Sequence, residues 1–280
     1  MNRRKFIKNS IIPGGVTSTG LGLYTNQIEP FWLEFVERHM AIKNLPHVLE
    51  GTTLMQISDI HVGNRFDYHF IIDSFKKAQK FKPDFVAYTG DYISYESGYD
   101  FKQLVETMSH CVKGRLGTVA ILGNHDYGVN WSEQNVADNV SQILNDNEIE
   151  ILQNNSIELS GINFTGLDDY WGLNFNPKSV ISEIDIQKAN VVLCHNPDVC
   201  DLDIWSDYSS WILSGHTHGG QCKPPFLTPP MLPVKNKKYS SGEIDLLKER
   251  KLYINRALGH LWQVRFNVRP EITVFTLEKA

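Results

Sequence analysis

Apolar and polar residues alternate in two regimes along this chain. In the first half, short apolar runs are separated by amphipathic stretches. Thr52 to Ser58, Asp84 to Thr89 and Thr118 to Leu122 read as strands. Between and after them, His69 to Phe81 carries Phe70, Ile71, Phe75 and Ala78 on one helical face, and Asp100 to Val112 repeats the helical period. Ser132 is placed to cap a further helix reaching about Asn145, and Pro83 stops the helix of His69 to Phe81. The second half is richer in short strands: Ile149 to Leu152, Ser156 to Leu159, Ile162 to Leu167, Asn190 to Cys194 and Trp211 to Leu213. Leu252 to Asn255, Gln263 to Val268 and Glu271 to Leu277 close the chain as strands, after a Pro-rich loop over residues 224–233. Ahead of all this, Ile28, Trp32, Phe35 and Val36 recur at helical spacing, which predicts a helix over residues 28–40. Strands alternating with helices early and packed strands late predict an α/β sandwich.

Five of these strands end in turns flanked by Gly or Pro that carry ligand-type side chains. They are Asp59 and His61, Gly90-Asp91, Gly123-Asn124-His125-Asp126, His195-Asn196-Pro197, and Gly215-His216-Thr217-His218. In open α/β sheets the crevice lies at the carboxyl ends of the strands, so turns in those places can converge. In extended chain, residues two apart face the same side, so His216 and His218 can share one cavity. Histidine is the commonest imidazole metal ligand. A single D-x-H or Gly-Asp is weak evidence, but five such turns in series point to a metal centre.

Composition narrows the partners. The 280 residues are 41% hydrophobic and 21% charged, which suits a globular chain. Residues 1–30 carry Arg3, Arg4, Lys5 and Lys8 against Glu29 alone, so the net charge of -5 hides a body of 23 bases against 31 acids. A body that acidic argues against a nucleic-acid groove. The paired Arg3-Arg4 with Phe6 resembles a twin-arginine export signal, followed by a diluted apolar stretch from Ile11 to Tyr24. The expected organisation is a signal or anchor over 1–30, a helical lead-in over 31–51 and one domain over 52–280. The expected location is therefore exported, periplasmic or at the cell envelope, with a cytoplasmic membrane face as the alternative. Cys111, Cys194, Cys200 and Cys222 form no C-x-x-C pair, and no bridge among them is expected.

The ordered motifs resemble the signature of the calcineurin-like metallophosphoesterase superfamily, from Asp59-x-His61 to Gly215-His216-x-His218, over about Thr52 to Leu277. Ser58-Asp59-Ile60-His61, Gly219-Gly220-Gln221, the run Tyr253 to Gly259 and Arg269-Pro270-Glu271-Ile272 are similar to its bacterial exported or membrane-associated phosphodiesterase-type members. Ala257 departs from that pattern, where a glycine is frequent. The resemblance implies a four-layer α/β/β/α fold: a two-sheet β-sandwich flanked by helices. It implies that Asp59, His61 and His218 hold one metal ion, that Asn124, His195 and His216 hold another, and that Asp91 bridges them. Such mixed oxygen and nitrogen ligands suit Mn, Fe or Zn better than Mg or Ca. Two divalent cations exceed the charge of Asp59 and Asp91, which leaves room for a hydroxide and an anionic phosphate, as in two-metal hydrolysis. By the same resemblance His125 is the catalytic non-ligand histidine, and Asp126 either orients its ring or caps the turn.

The implied activity is hydrolysis of a phosphodiester or pyrophosphate bond in a phosphorylated small molecule or lipid. The alternatives are UDP-2,3-diacylglucosamine pyrophosphate hydrolysis in lipid A synthesis and a non-catalytic metal- and phosphate-binding module. The twin-arginine machinery is the expected export partner, and membrane association goes with an uncleaved N-terminus. Phe66, Tyr68, Trp131, Trp171 and Trp262 are candidates for an apolar wall at the site, with packing as the commoner role, and Arg265 is a candidate phosphate contact. His39, His47, His69, His110 and His260 lie outside the motifs and are expected to be structural or at the surface.

Overall fold

A computed structural model of the chain describes residues 20–63, 65–94 and 99–280. Most of the segment expected to be a signal, residues 1–19, lies outside them. Among the described residues, twelve strands form two six-stranded sheets. The first runs in the order β1 (Glu34–Ile42), β12 (Glu271–Lys279), β2 (Thr53–Ile57), β3 (Phe85–Thr89), β4 (Gly117–Ile121) and β5 (Glu150–Ile151). The second runs β10 (Gly242–Asp245), β11 (Lys251–Ile254), β9 (Trp211–Ser214), β8 (Ala189–Leu193), β7 (Ile162–Gly166) and β6 (Asn155–Leu159). The chain links β2, β3, β4 and β5 in parallel, and likewise β7, β8, β9 and β11. Parallel strands need crossover connections, which the helices α1 (His69–Ala78), α2 (Tyr99–Met108) and α3 (Gln134–Asp146) supply in the first half. A shorter helix, α4 (Pro177–Ser182), precedes β8.

Alternation along each strand sorts side chains between layers. Leu54, Phe85, Ala87, Val119 and Ile121 of the first sheet meet Phe164, Val191, Leu193 and Leu213 of the second in the central core. Met55, Ile57, Val86, Tyr88 and Ala120 face the other way, onto Phe75, Leu104, Met108, Val140 and Leu144 of the helices. Beyond the second sheet, Val192, Ile212, Leu252 and Ile254 pack on Val180, Ile181, Trp205 and Tyr208. The result is the expected four-layer arrangement of two sheets between flanking elements. All four cysteines are free thiols. Among the described residues no helix is long and apolar enough to cross a membrane.

Three expectations change. Residues 34–42 form an edge strand, not the end of a helix, because all nine residues pair in parallel with β12, from Glu34 opposite Glu271 to Ile42 opposite Lys279. The run Gln263 to Val268 makes only an isolated bridge, Cys222 with Phe266. Ser132 does not cap α3: its hydroxyl turns back to the Val129 carbonyl, and Glu133 occupies the cap position.

Candidate metal centre

The strands β2, β3 and β4 of one sheet and β8 and β9 of the other all end at the same edge of the sandwich. Asp59 follows β2, Asp91 follows β3, Asn124 follows β4, His195 follows β8 and His216 follows β9. Backbone bonds lock these turns together. The Asp59 amide donates to the Gly90 carbonyl, His61 to Asp91, and Gly215 to His195. Gln56, buried between the sheets, donates to Thr89 Oγ1 and to the Ser214 carbonyl, and so ties β2 to the ends of β3 and β9.

Two groups of buried side chains result: Asp59, His61 and His218, and Asp91, His195 and His216, each with its ligand atoms within 4.8 Å of one another. Asp91 lies between them. Its Oδ2 is 3.1 Å from His195 Nε2 and 3.5 Å from His61 Nε2, while its Oδ1 accepts the His125 amide. Asp59 Oδ1 is 3.2 Å from His218 Nε2. Asn124, fully buried on the turn after β4, has an Oδ1 with no hydrogen-bond partner.

The hydrogen bonds fix which ring nitrogens are free. His195 Nδ1 donates to the Thr89 carbonyl at 2.7 Å, and His216 Nε2 donates to the Pro233 carbonyl at 3.0 Å, since a carbonyl can only accept. His218 Nδ1 lies 3.1 Å from Gln221 Oε1. The remaining nitrogens turn to each other: His61 Nε2 and His218 Nε2 are 3.0 Å apart, and His216 Nδ1 and His195 Nε2 are 3.3 Å apart. Lone pairs gathered this way, beside two carboxylates and an unpartnered amide oxygen, suit cations in both groups. Outer partners that orient ligating imidazoles are the usual accompaniment of a metal site.

Electrostatics agree for two of the imidazoles, and at His195 they show the pull of the two carboxylates. Burial holds His61 well below the ordinary imidazole value and His216 down at about 3, so both keep a lone pair for a cation. Burial would also lower His195, but Asp91 and Asp59 raise it well above that value. Burial would raise Asp91, yet His195 and His125 hold it well below the carboxylate range.

Five of these side chains stand on left-handed backbone, with φ of 52° at Asp59, 46° at His61, 57° at Asp91, 69° at His216 and 51° at His218. Each such non-Gly residue costs on the order of 1 kcal/mol, and strain of this kind gathers at functional sites. Glycines let the turns close. A Cβ on Gly123 would fall 2.2 Å from Asp91 Oδ1, and one on Gly215 would fall 2.0 Å from Ser58 Oγ.

His125 stands beside the first group, its ring edge-on to His61 at 5.0 Å between centroids, and is partly exposed. Asp126 does not orient that ring. Its two oxygens accept the backbone amides of Asp91, Tyr92, Ile93 and Gly123, which makes it the clasp between the β3 and β4 turns. Arg265 is no phosphate contact either. It is fully buried, and its guanidinium donates to the carbonyls of Arg256, Ala257, Gly259 and Val268 and to His260 Nδ1. Of the aromatic candidates, Phe66 packs against His260 and Tyr68 bonds Glu106. Trp171 meets the His216 ring edge-on at 4.5 Å and stacks on Trp131 at 4.6 Å, so these two do border the site.

Several supporting residues escape a motif search. Ser58 bonds the Asp59 carboxylate, Thr89 and Pro233 accept from the ligand imidazoles, and the Leu258 and Gly259 amides donate to the Ser58 and Asp59 carbonyls. Of these, Ser58 carried a sequence signal in the run Ser58 to His61, and Leu258 and Gly259 in the run from Tyr253 to Gly259; Thr89 and Pro233 carried none.

A two-sheet sandwich with two carboxylate–imidazole groups at its strand ends is the arrangement expected of a metallophosphoesterase. The family model for calcineurin-like phosphoesterases matches residues 52–220, and the chain belongs to that family. It is 30% identical to the uncharacterized metallophosphoesterase YkuE of Bacillus subtilis, over 100% of this chain and 99% of YkuE. It is 28% identical to the phosphodiesterase YaeI of Escherichia coli, over 99% of both chains. The UDP-2,3-diacylglucosamine pyrophosphatase LpxG of Chlamydia muridarum is 25% identical over 90% of this chain and 91% of its own. The protein is thus a hydrolase of phosphoric esters with two His/Asp metal-binding groups.

Proposed function

We propose that this enzyme cleaves a phosphodiester or pyrophosphate bond and does so outside the cytoplasm. The observation that carries the bond-cleaving part is the place of Asp91 Oδ2, within 3.5 Å of an imidazole from each group. One carboxylate shared in this way brings both cation sites against a single phosphoryl group. Divalent ions held by Asp59, His61 and His218 and by Asp91, Asn124, His195 and His216 would supply Lewis acidity and an acidified water. Their mixed oxygen and nitrogen donors favour Mn, Fe or Zn.

The protein's own part is positioning and proton transfer. Asp126 clasps the two turns that present Asp91 and Asn124, and Gln56 holds the two sheets in register beneath them. His125, on the same short turn and with its ring uncommitted to either group, supplies a proton to the departing oxygen. Trp171 and Trp131 wall one side and limit water there. The names of YaeI and LpxG, a phosphodiesterase and a pyrophosphatase, support the bond class.

The export reading rests on Arg3-Arg4 and the basic start of an otherwise acidic chain. A second reading, hydrolysis of UDP-2,3-diacylglucosamine, is favoured by the likeness to LpxG and needs a domain facing the cytoplasm.

The test is hydrolysis of bis-p-nitrophenyl phosphate beside monoesters, nucleotide sugars and phospholipids, in protein stripped by chelator and reloaded with Mn, Fe or Zn. Diester or pyrophosphate turnover that vanishes on stripping and returns on reloading is expected. No turnover from protein carrying both metals would make it a binding module. A C-terminal reporter active only inside the cell would overturn the export reading and favour the nucleotide–lipid substrate.

A further inference from the structure

Beside the first metal group the surface turns apolar. Three segments meet around Gln221, which follows His218 by three residues. Gln221 Nε2 donates to the Trp262 and Val264 carbonyls, and its own carbonyl accepts the Phe266 amide. Residues 25–26 join here, because Arg265 N donates to the Thr25 carbonyl and Asn26 and Gln263 exchange side chain-to-backbone bonds. The proline-rich loop joins on the other side, where Pro229 and Met231 lie against Gly220.

Each segment holds large apolar side chains out to solvent. Phe226 is 105% exposed, Leu227 63%, Met231 66% and Trp262 60%, and Leu21 and Leu23 are more than half exposed. Exposed apolar groups gathered at one place mark an interaction surface. Charge identifies the partner. Residues 221–241 contain Lys223, Lys235, Lys237 and Lys238 and no acid, residues 259–270 add Arg269 and no acid (Arg265 there being buried), and residues 20–28 are uncharged. This is a basic, apolar rim on a body with 31 acids to 23 bases. A tryptophan among exposed aliphatic residues, flanked by lysines, matches the interface of an anionic bilayer. The sequence entering the rim at Leu21 comes from the apolar stretch that starts at Ile11, behind four bases.

We propose that this rim docks the enzyme on an anionic lipid bilayer, with the metal groups opening toward the headgroups. The proposal rests on the phosphoesterase reading only for its purpose, since docking itself needs no catalysis. A phosphoester carried in the bilayer would then reach His125 and the metal groups without leaving the surface.

The experiment compares the full chain with Phe226→Ser/Leu227→Ser/Met231→Ser. Binding is measured on vesicles of phosphatidylcholine with phosphatidylglycerol and on phosphatidylcholine alone, beside hydrolysis of soluble bis-p-nitrophenyl phosphate. Wild type should bind the anionic vesicles, more weakly as salt rises. The variant should bind at least about tenfold less, given the apolar area removed, while hydrolysing the soluble ester at the wild-type rate. Equal vesicle binding by both proteins overturns the proposal. So does a lipid-free wild-type dimer that the variant splits, for the rim would then face a second copy. Vesicle binding that falls as expected in a protein without ester hydrolysis would uphold the docking surface and sink the phosphoesterase reading instead.

Discussion

Gly215→Ala puts a methyl group into the tightest contact of the metal centre. Gly215 is not in the left-handed region, so the added side chain strains no torsion and its effect is steric. The new Cβ would lie 2.0 Å from Ser58 Oγ and 2.2 Å from Asp59 Oδ2, where about 3.0 Å is the closest approach a Cβ tolerates. Something must yield by about 1 Å. The Gly215 amide is tied to the His195 carbonyl, and the Asp59 backbone is tied on both sides, to Gly90 and to Gly259. The Asp59 carboxylate is the part free to turn, and turning it breaks its bonds to the His216 amide at 3.0 and 3.1 Å and its approach to His218. Overpacking of this kind costs about 1–3 kcal/mol, and a 1 Å displacement of catalytic geometry costs roughly a hundredfold in rate. The expected variant melts a few degrees early, loses metal from the group of Asp59, His61 and His218, and drops in kcat/KM by about two orders of magnitude. Metal content by plasma mass spectrometry, steady-state kinetics and a thermal scan measure the three. Gly242→Ala is the control: its φ of 80° imposes strain, but nothing lies within 4 Å, so stability alone should suffer. Wild-type metal content and turnover in Gly215→Ala would refute the reasoning.

Three further changes separate roles the structure distinguishes. His125→Ala should lower kcat by roughly a hundredfold or more with metal content unchanged, since only its backbone touches Asp91; loss of metal would make it a ligand. Arg265→Ala leaves the carbonyls of Arg256, Gly259 and Val268 without their donor, at about 1–3 kcal/mol for each that stays buried, while the Ala257 carbonyl keeps the Glu271 amide. The melting temperature should fall sharply at unchanged KM, and a raised KM at wild-type stability would restore the phosphate contact. Ala257 stands at φ 69°, a left-handed conformation that strains an alanine and suits glycine, so Ala257→Gly should stabilise by up to about 1 kcal/mol. A lower urea midpoint would contradict that.

What sequence revealed and what it hid follow from how each element is stabilised. Strands β3 and β8 are buried along their whole length, so their apolar runs declared them. Strand β1 is an edge: Glu37, Arg38 and His39 face water, and the spacing of Phe35, Val36 and Met40 fits either period. Its partner lies more than 200 residues away, beyond any local signal. In Gln263 to Val268 the alternation is genuine, but the residue between the apolar ones is a buried arginine whose five bonds stitch turns together, and no ladder forms. The ligand side chains were legible because their chemistry is rare and their order fixed. Their supports were not. The carbonyls of Thr89 and Pro233 act through backbone, which any residue provides. Asp126 sits next to His125 in the chain, yet its carboxylate serves the amides of Asp91, Tyr92 and Ile93 on a different turn.

The sheet order places β12 between β1 and β2. The ribosome therefore releases the first strand some 230 residues before the one strand it pairs with among the described residues, and β2 also waits for that neighbour on one side. Until β12 emerges, one flank of the first sheet is an open template of unpaired amides, the condition under which nascent chains aggregate or recruit chaperones. A stop codon before Glu271 would cost more than one strand, since β1 would have nothing to join. The nine-residue strand β12 thus closes the sheet whose other strands lead into Asp59, Asp91 and Asn124, and the metal centre depends on a segment made long after the strands that present it.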